Sequence, residues 1–172
     1  QGTKVRYNLF HEFGADGVAL RKAQGVETGF EPLKGHVMVM GLYLDDCDSG
    51  EFAAHNVFRH AGWAMFNGGG RDNKWHANLT FDSTSAAQYD IRGLRRARPG
   101  SGIRDGWDLL RKLQDLDYTN KVWATRYPWL VNVMENDPML PIGTEWTGNL
   151  SVNCGEFLHG YKGKDVRKVV DE

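Results

Sequence analysis

The chain has 172 residues, with 21 Lys and Arg against 22 Asp and Glu, a net charge of −1, and no block of basic residues. That length accommodates one ordinary domain, and the balanced charge argues against nucleic acid or a membrane surface as the main partner. No apolar run is long enough for a membrane helix, no signal peptide is recognisable, and two cysteines, Cys47 and Cys154, are too few for a disulfide scaffold and read as separate thiols.

Residues 4–11 alternate through Val5, Tyr7 and Leu9 and end at His11, predicting a first strand, with another over residues 17–20. The Lys-, Glu- and Gly-rich stretch 21–35, around Pro32, reads as a surface loop. His36 to Leu44 then alternates as a buried strand and runs into Asp45-Asp46-Cys47-Asp48-Ser49-Gly50. Three carboxylates within four positions repel one another, so something must hold them together.

The same form recurs 22 residues later, where Trp63-Ala64-Met65-Phe66 breaks into Asn67-Gly68-Gly69-Gly70. Each unit neighbours an Asn followed by an apolar residue, and four such segments align, beginning at Asn8, Asn56, Asn78 and Asn149. Asn56 and Asn78 are 22 apart; Asp45 to Asn56 and Asn67 to Asn78 are both 11. A period in the low twenties, built of short strands without the regular leucines of a leucine-rich repeat, predicts an all-β parallel β-helix with coils of about 22 residues. In this register Leu44 and Phe66 face inward while Asp45 and Asn67 stack outward. Gln88 to Arg92 forms the next rung and exposes Asp90.

After Gly93 the β pattern is interrupted. Trp107, Leu109, Leu110, Leu113 and Leu116 fall at helical spacing, predicting an amphipathic helix over 105–117 packed on the coils. Trp123 to Met134 suggests a second helical piece, ended by Asp137-Pro138, before strands resume at Thr147. Residues 95–145 are thus a helical excursion, expected to form a flap beside the carboxylates, within a single β-helix domain spanning 1–172. Without a recognisable cap at either end, the domain reads as part of a longer chain and as a monomer.

The ordered set Gly41 to Gly50, Asn56-Val57-Phe58, Gly68 to Asn73, Asp90-Ile91-Arg92-Gly93-Leu94 and Arg126-Tyr127-Pro128 resembles the right-handed parallel β-helix enzymes that act on polysaccharides, closest to glycoside hydrolase family 141. The family usually carries Gly where Cys47 stands and Ala where Ile91 stands. The resemblance implies a secreted or periplasmic carbohydrate-active enzyme, in a group that includes α-L-fucosidases and xylanases.

Glycoside hydrolysis needs one carboxyl to protonate the leaving oxygen and one to attack or to activate water. Asp45 or Asp46 and Asp90, two rungs apart, would have backbones roughly 9–10 Å apart at the usual strand spacing. Arg92 is placed to pair with Asp90 or to hold a sugar, and Arg71, Asp72, Asn67 and His11 are further candidates for substrate contacts. The triple glycine would clear a floor for a sugar ring. Scattered histidines give no zinc set, and the hydrolytic reading requires no cofactor. Two alternatives remain: a lyase in which Asp45, Asp46 and Asp48 hold Ca2+ and Arg71 or Arg92 abstracts a proton, and a β-helix that only binds glycan.

Overall fold

Four asparagines set how the chain stacks. In the structure, a computed structural model that describes residues 2–11, 40–96 and 108–160, Asn8 Nδ2 donates to Asn56 Oδ1 at 3.0 Å. Asn56 Nδ2 donates to Asn78 Oδ1 at 3.0 Å, and Asn78 Nδ2 to Asn149 Oδ1 at 2.9 Å. The backbone N–H groups of Asn8, Asn56 and Asn78 donate to the same oxygens. Asn56 and Asn78 are fully buried, so these bonds satisfy turn amides that no water reaches. The strand expected over 17–20, the loop 21–35, His36 and the start of the helix expected from residue 105 lie outside the described residues.

Between the asparagines run short strands in three parallel sheets. The first holds β1 (Lys4–Arg6), β4 (Phe52–Ala54), β7 (Lys74–His76) and β10 (Glu145–Thr147). The second holds β2 (Leu9–His11), β5 (Val57–Arg59), β8 (Leu79–Phe81) and β11 (Leu150–Val152). The third holds β3 (Met40–Leu44), β6 (Trp63–Asn67), β9 (Ser85–Tyr89) and β12 (Glu156–His159). Consecutive strands enter successive sheets, and every third strand pairs in parallel. The chain is therefore mostly β. Among the described residues no helix is long and apolar enough to cross a membrane.

In-register pairing stacks like on like. Trp75 lies flat against Trp146 at 5.1 Å, and Phe10 against Phe58 at 4.9 Å. Phe58, Met65 and Trp75, with Ala53, Ala64 and Ala87, form the centre of the core, which Phe10, Leu42, Trp146 and Leu158 border. Alternation along each strand delivers these residues to one side.

The third sheet departs from the expected register. Met40 faces Trp63, an interval of 23, and this puts Leu44 opposite Asn67 and Tyr43 opposite Phe66. One residue of slip exchanges the two faces of a strand. Asn67 therefore turns into the protein and is fully buried, while Leu44, not Phe66, joins the core cluster. The rung expected over 88–92 lies earlier, at Ser85–Tyr89, with Asp90 just beyond its end and a helix, Arg92–Arg96, that the pattern did not suggest.

The excursion is helical, as Leu109–Asp115, Lys121–Arg126 and two 3-10 turns, Pro128–Leu130 and Val133–Glu135. Asn120 caps the second helix by accepting from the N–H groups of Val122 and Trp123. Helix Leu109–Asp115 has no buried residue. Leu109 and Leu113 are half-buried and line a cleft together with the turns at residues 46–50 and 71–72. Strands resume at Glu145, slightly earlier than expected.

Candidate active site

Two of the carboxylates that the sequence crowds together, Asp45 and Asp46, are held by one guanidinium. Beyond the strand ends the ladder continues, with the Gly68 N–H donating to Leu44 O at 2.8 Å and the Asp90 N–H to Asn67 O at 3.1 Å. Asp45, Gly68 and Asp90 therefore line up, so Asp45 and Asp90 are two rungs apart as expected, with Gly68 rather than Asn67 between them. Arg92 fills the gap. Its Nε lies 2.9 and 2.8 Å from the two Asp90 oxygens and its Nη2 2.6 Å from Oδ2. Its Nη1 reaches Asp45 Oδ1 at 2.5 Å and Asp46 Oδ1 at 3.4 Å, and also bonds the Tyr43 hydroxyl.

Beneath the guanidinium, the Phe66 ring centre is 5.2 Å and the Tyr43 ring centre 5.3 Å from Cζ, and the two rings stack at 4.5 Å. Cation–π contact and charge pairing thus act on the same group. Tyr43 is the member of this site that composition and spacing missed. The available signal was two aromatic residues, Tyr43 and Phe66, at matching positions of neighbouring strands.

This arrangement decides what several residues can do. The guanidinium of Arg92, beside Asp90 and Tyr43, is held above its already high pKa although burial opposes its charge. Burial likewise opposes ionisation of Asp45, yet hydrogen bonds from the Tyr43 hydroxyl and the Asp46 N–H, with the Arg92 charge, hold its carboxyl below the usual value. Asp45 is therefore an ionised carboxylate and unsuited to be a proton donor. Asp48 lies within electrostatic reach of Glu51, and its carbonyl accepts from Asn73 Nδ2 at 2.8 Å. Among the described residues no group of three or more His, Cys, Asp or Glu is placed to hold a metal ion.

Tyr43 supplies a pH-dependent test. Burial, then its hydrogen bond to Asp45, pushes its hydroxyl up to about 12. A raised folded-state pKa stabilises the protonated form, so the contribution is complete below the unfolded value near 10 and is lost as pH rises through the folded value. Wild-type stability measured in urea should fall between those pH values more steeply than that of Tyr43→Phe. Equal slopes would contradict this placement of Tyr43.

Other sequence candidates move. The triple glycine is not an open floor: a Cβ on Gly68 or Gly69 would meet Arg92 at 3.2 and 2.8 Å, and one on Gly70 would overlap the Asp48 carbonyl. These glycines make room for protein rather than for sugar. Asn67 donates to Gly70 O at 2.8 Å and Thr144 Oγ1 at 3.4 Å and accepts from Asn73. Buried so, it faces no substrate. His11 pairs with Arg59 in the second sheet, whereas the carboxylates follow strands of the third, so it does not share their face.

Arg71 donates from Nε to Asp72 at 3.1 Å and from Nη1 to the carbonyl of Asn136 at 2.8 Å. The Asp72 N–H bonds Ile142 O. The pair thus ties the end of the helical excursion to the strands. Cys47 and Cys154 are half-buried and not bridged.

Asp46 and Cys47 both have positive φ, 49° and 68°. A side chain there costs about 1–2 kcal/mol relative to glycine. Cys47→Gly is accordingly expected to stabilise the fold by about 1 kcal/mol, measured by urea denaturation; a loss of stability would show that the thiol contributes more than the backbone strain costs.

The cleft beside this turn has a volume of about 510 Å³, within the usual range of about 300–1,000 Å³ for small-molecule sites. Asp46, Arg71 and Asp72 line one wall, and Leu113, Trp123 and Trp129 of the excursion line the other. Asp46 thus touches both the Arg92 network and the cleft, while Asp45 and Asp90 do not line it. Comparison of the chain with protein-family models, with curated proteins and with solved structures finds no match.

Proposed function

We propose that the chain belongs to a right-handed parallel β-helix glycoside hydrolase, of the secreted or periplasmic kind, whose substrate lies in this cleft. One observation carries the reading: Asp46, at the edge of a charge network that fixes its backbone turn, opens with Asp72 onto a cleft whose far wall is aromatic. Two carboxyls and an apolar platform are what glycosidic cleavage uses. Asp72, beside the Arg71 guanidinium at 3.1 Å, takes the role of attacking or activating water, and Asp46 that of the proton donor to the leaving oxygen. Asp45 and Asp90 hold Arg92 and position the turn.

Elimination fits less well. Its base must surrender a proton, and Arg92 is bonded to the carboxyl groups of Asp45 and Asp90 and to a phenol, which favours the charged form. Arg71 is committed to Asp72 and to backbone carbonyls.

With neutral and acidic plant-wall oligosaccharides as substrates, Asp46→Asn should lower kcat at least about 100-fold, the usual worth of a positioned acid, with the fold intact by circular dichroism. Unchanged turnover in a folded Asp46→Asn variant would remove Asp46 from the chemistry.

A further inference from the structure

We infer that Arg71 is a positioning residue that sets the width of the cleft, by fastening the aromatic wall to the two turns that carry Asp46 and Asp72. Its side chain is 12 % exposed, so the guanidinium is a largely buried charge spent on protein groups. Nε donates to Asp72 Oδ2 at 3.1 Å, and Nη1 donates to Asn136 O at 2.8 Å and to Asp137 O at 3.4 Å. A planar fork reaches a carboxylate and carbonyls at once, which the point charge of a lysine does not. The main chain of the same residue is tied to the other turn. Its N–H donates to Ser49 Oγ at 3.1 Å, and its carbonyl accepts from the Gly50 N–H at 3.0 Å. One residue therefore joins the Asp46 turn, Asp72 and the far wall.

That wall has few other ties. Among the described residues, the hydrogen bonds of residues 108–135 stay within the excursion, and Val133 is the one buried residue of that stretch. Arg71 grips the chain directly after it. Asn136 follows the 3-10 turn Val133–Glu135, and a cation there satisfies carbonyls that the end of the turn leaves over. Asp137, at φ 40°, leads into Pro138, which lines the cleft. The next fastenings come later in the chain, where the Met139 carbonyl lies close against Gly93 and the Ile142 carbonyl accepts from the Asp72 N–H at 3.0 Å. Loss of the Arg71 side chain would thus free the wall that carries Trp123 and Trp129 while leaving the strands stacked.

The test is hydrogen exchange read by mass spectrometry on the wild type, Arg71→Ala and Arg71→Lys, with turnover of neutral and acidic plant-wall oligosaccharides measured on the same samples. In both variants, peptides covering 121–136 should exchange about tenfold faster, the effect of one lost hydrogen-bonded tie on local opening. Peptides covering β5 and β6 should exchange as in the wild type. Arg71→Lys keeps a positive charge beside Asp72 but not the fork, so its KM should rise about tenfold, more than its kcat falls, because a loosened wall must be ordered on binding. Unchanged exchange over 121–136, or exchange that quickens equally in β5 and β6, overturns the inference. A fall in kcat at unchanged KM in Arg71→Lys also overturns it, by assigning Arg71 to Asp72 alone. The effect on turnover rests on the hydrolase reading, whereas the effect on exchange does not. Faster exchange confined to the excursion, with no bond cut by the wild type, would uphold the role of Arg71 and defeat that reading. Hydrolysis by the wild type with exchange unchanged in both variants would do the reverse.

Discussion

Asn78→Ala is expected to cost about 3–5 kcal/mol, a large part of the stability of a domain this size. The side chain is fully buried and serves both neighbours. Its Oδ1 accepts from the N–H and the Nδ2 of Asn56, and its Nδ2 donates to Asn149 Oδ1 and to Ala53 O at 3.1 Å. Alanine would take from the Asn56 N–H its bond to Asn78 and remove one bond each from Asn56 Nδ2, which keeps Val5 O, from Asn149 Oδ1, which keeps the residue-78 N–H, and from Ala53 O, and a buried group left unpaired costs about 1–3 kcal/mol. Asn8→Ala, at the exposed first position of the same ladder, should cost less than about 1 kcal/mol, because water can replace the lost bond. Urea denaturation of the two variants measures the contrast. Equal losses would show that the ladder does not act through buried hydrogen bonding.

Arg92→Met is expected to cost about 3 kcal/mol, at the lower end of the range for breaking a buried charge network. The guanidinium side chain is 18 % exposed, whereas Asp45 is 53 % exposed, so solvent already screens part of the pairing. Methionine keeps some contact with Phe66 and Tyr43 but leaves Asp45, Asp46 and Asp90 facing one another. Asp45, whose carboxyl the Arg92 charge helps to hold below its usual value, would then take up a proton more readily than in the wild type. The gap in stability between variant and wild type should therefore narrow as pH falls through the carboxylate range, since protonation relieves repulsion in the variant and only weakens pairing in the wild type. A gap that stays constant with pH would mean that Arg92 acts through packing alone.

How much of this was legible in the chain depends on what each residue bonds to. The alignment of Asn8, Asn56, Asn78 and Asn149 was readable because a side-chain ladder demands one residue type at one position in every repeat, whatever the insertions between. The register of β3 on β6 was not readable, because the turn after Leu44 lengthens the interval to 23, and a single residue exchanges inside for outside. That slip is why the sequence pattern places Asn67 outward and Phe66 inward. The pairing of Asp90 with Arg92 was among the expectations, since two residues is within reach at a strand end. Its extension to Asp45, Asp46 and Tyr43 was not, because those contacts span 46 to 49 positions and depend on Gly68 leaving space for the guanidinium. The glycine triplet likewise reads as an open floor from sequence, because nothing local marks the Arg92 side chain and the Asp48 carbonyl that fill the space.

The most direct test of the account is the identity of the product. The protein, wild type and Asp46→Asn, is incubated with neutral and acidic plant-wall oligosaccharides in water enriched in heavy oxygen, and the products are weighed by mass spectrometry. The account predicts two fragments from an oligosaccharide whose masses sum to that of the substrate plus one water, with heavy oxygen in the new anomeric hydroxyl of one of them, and their loss in Asp46→Asn. An unsaturated sugar without added water, or cleavage that persists in folded Asp46→Asn, would contradict it.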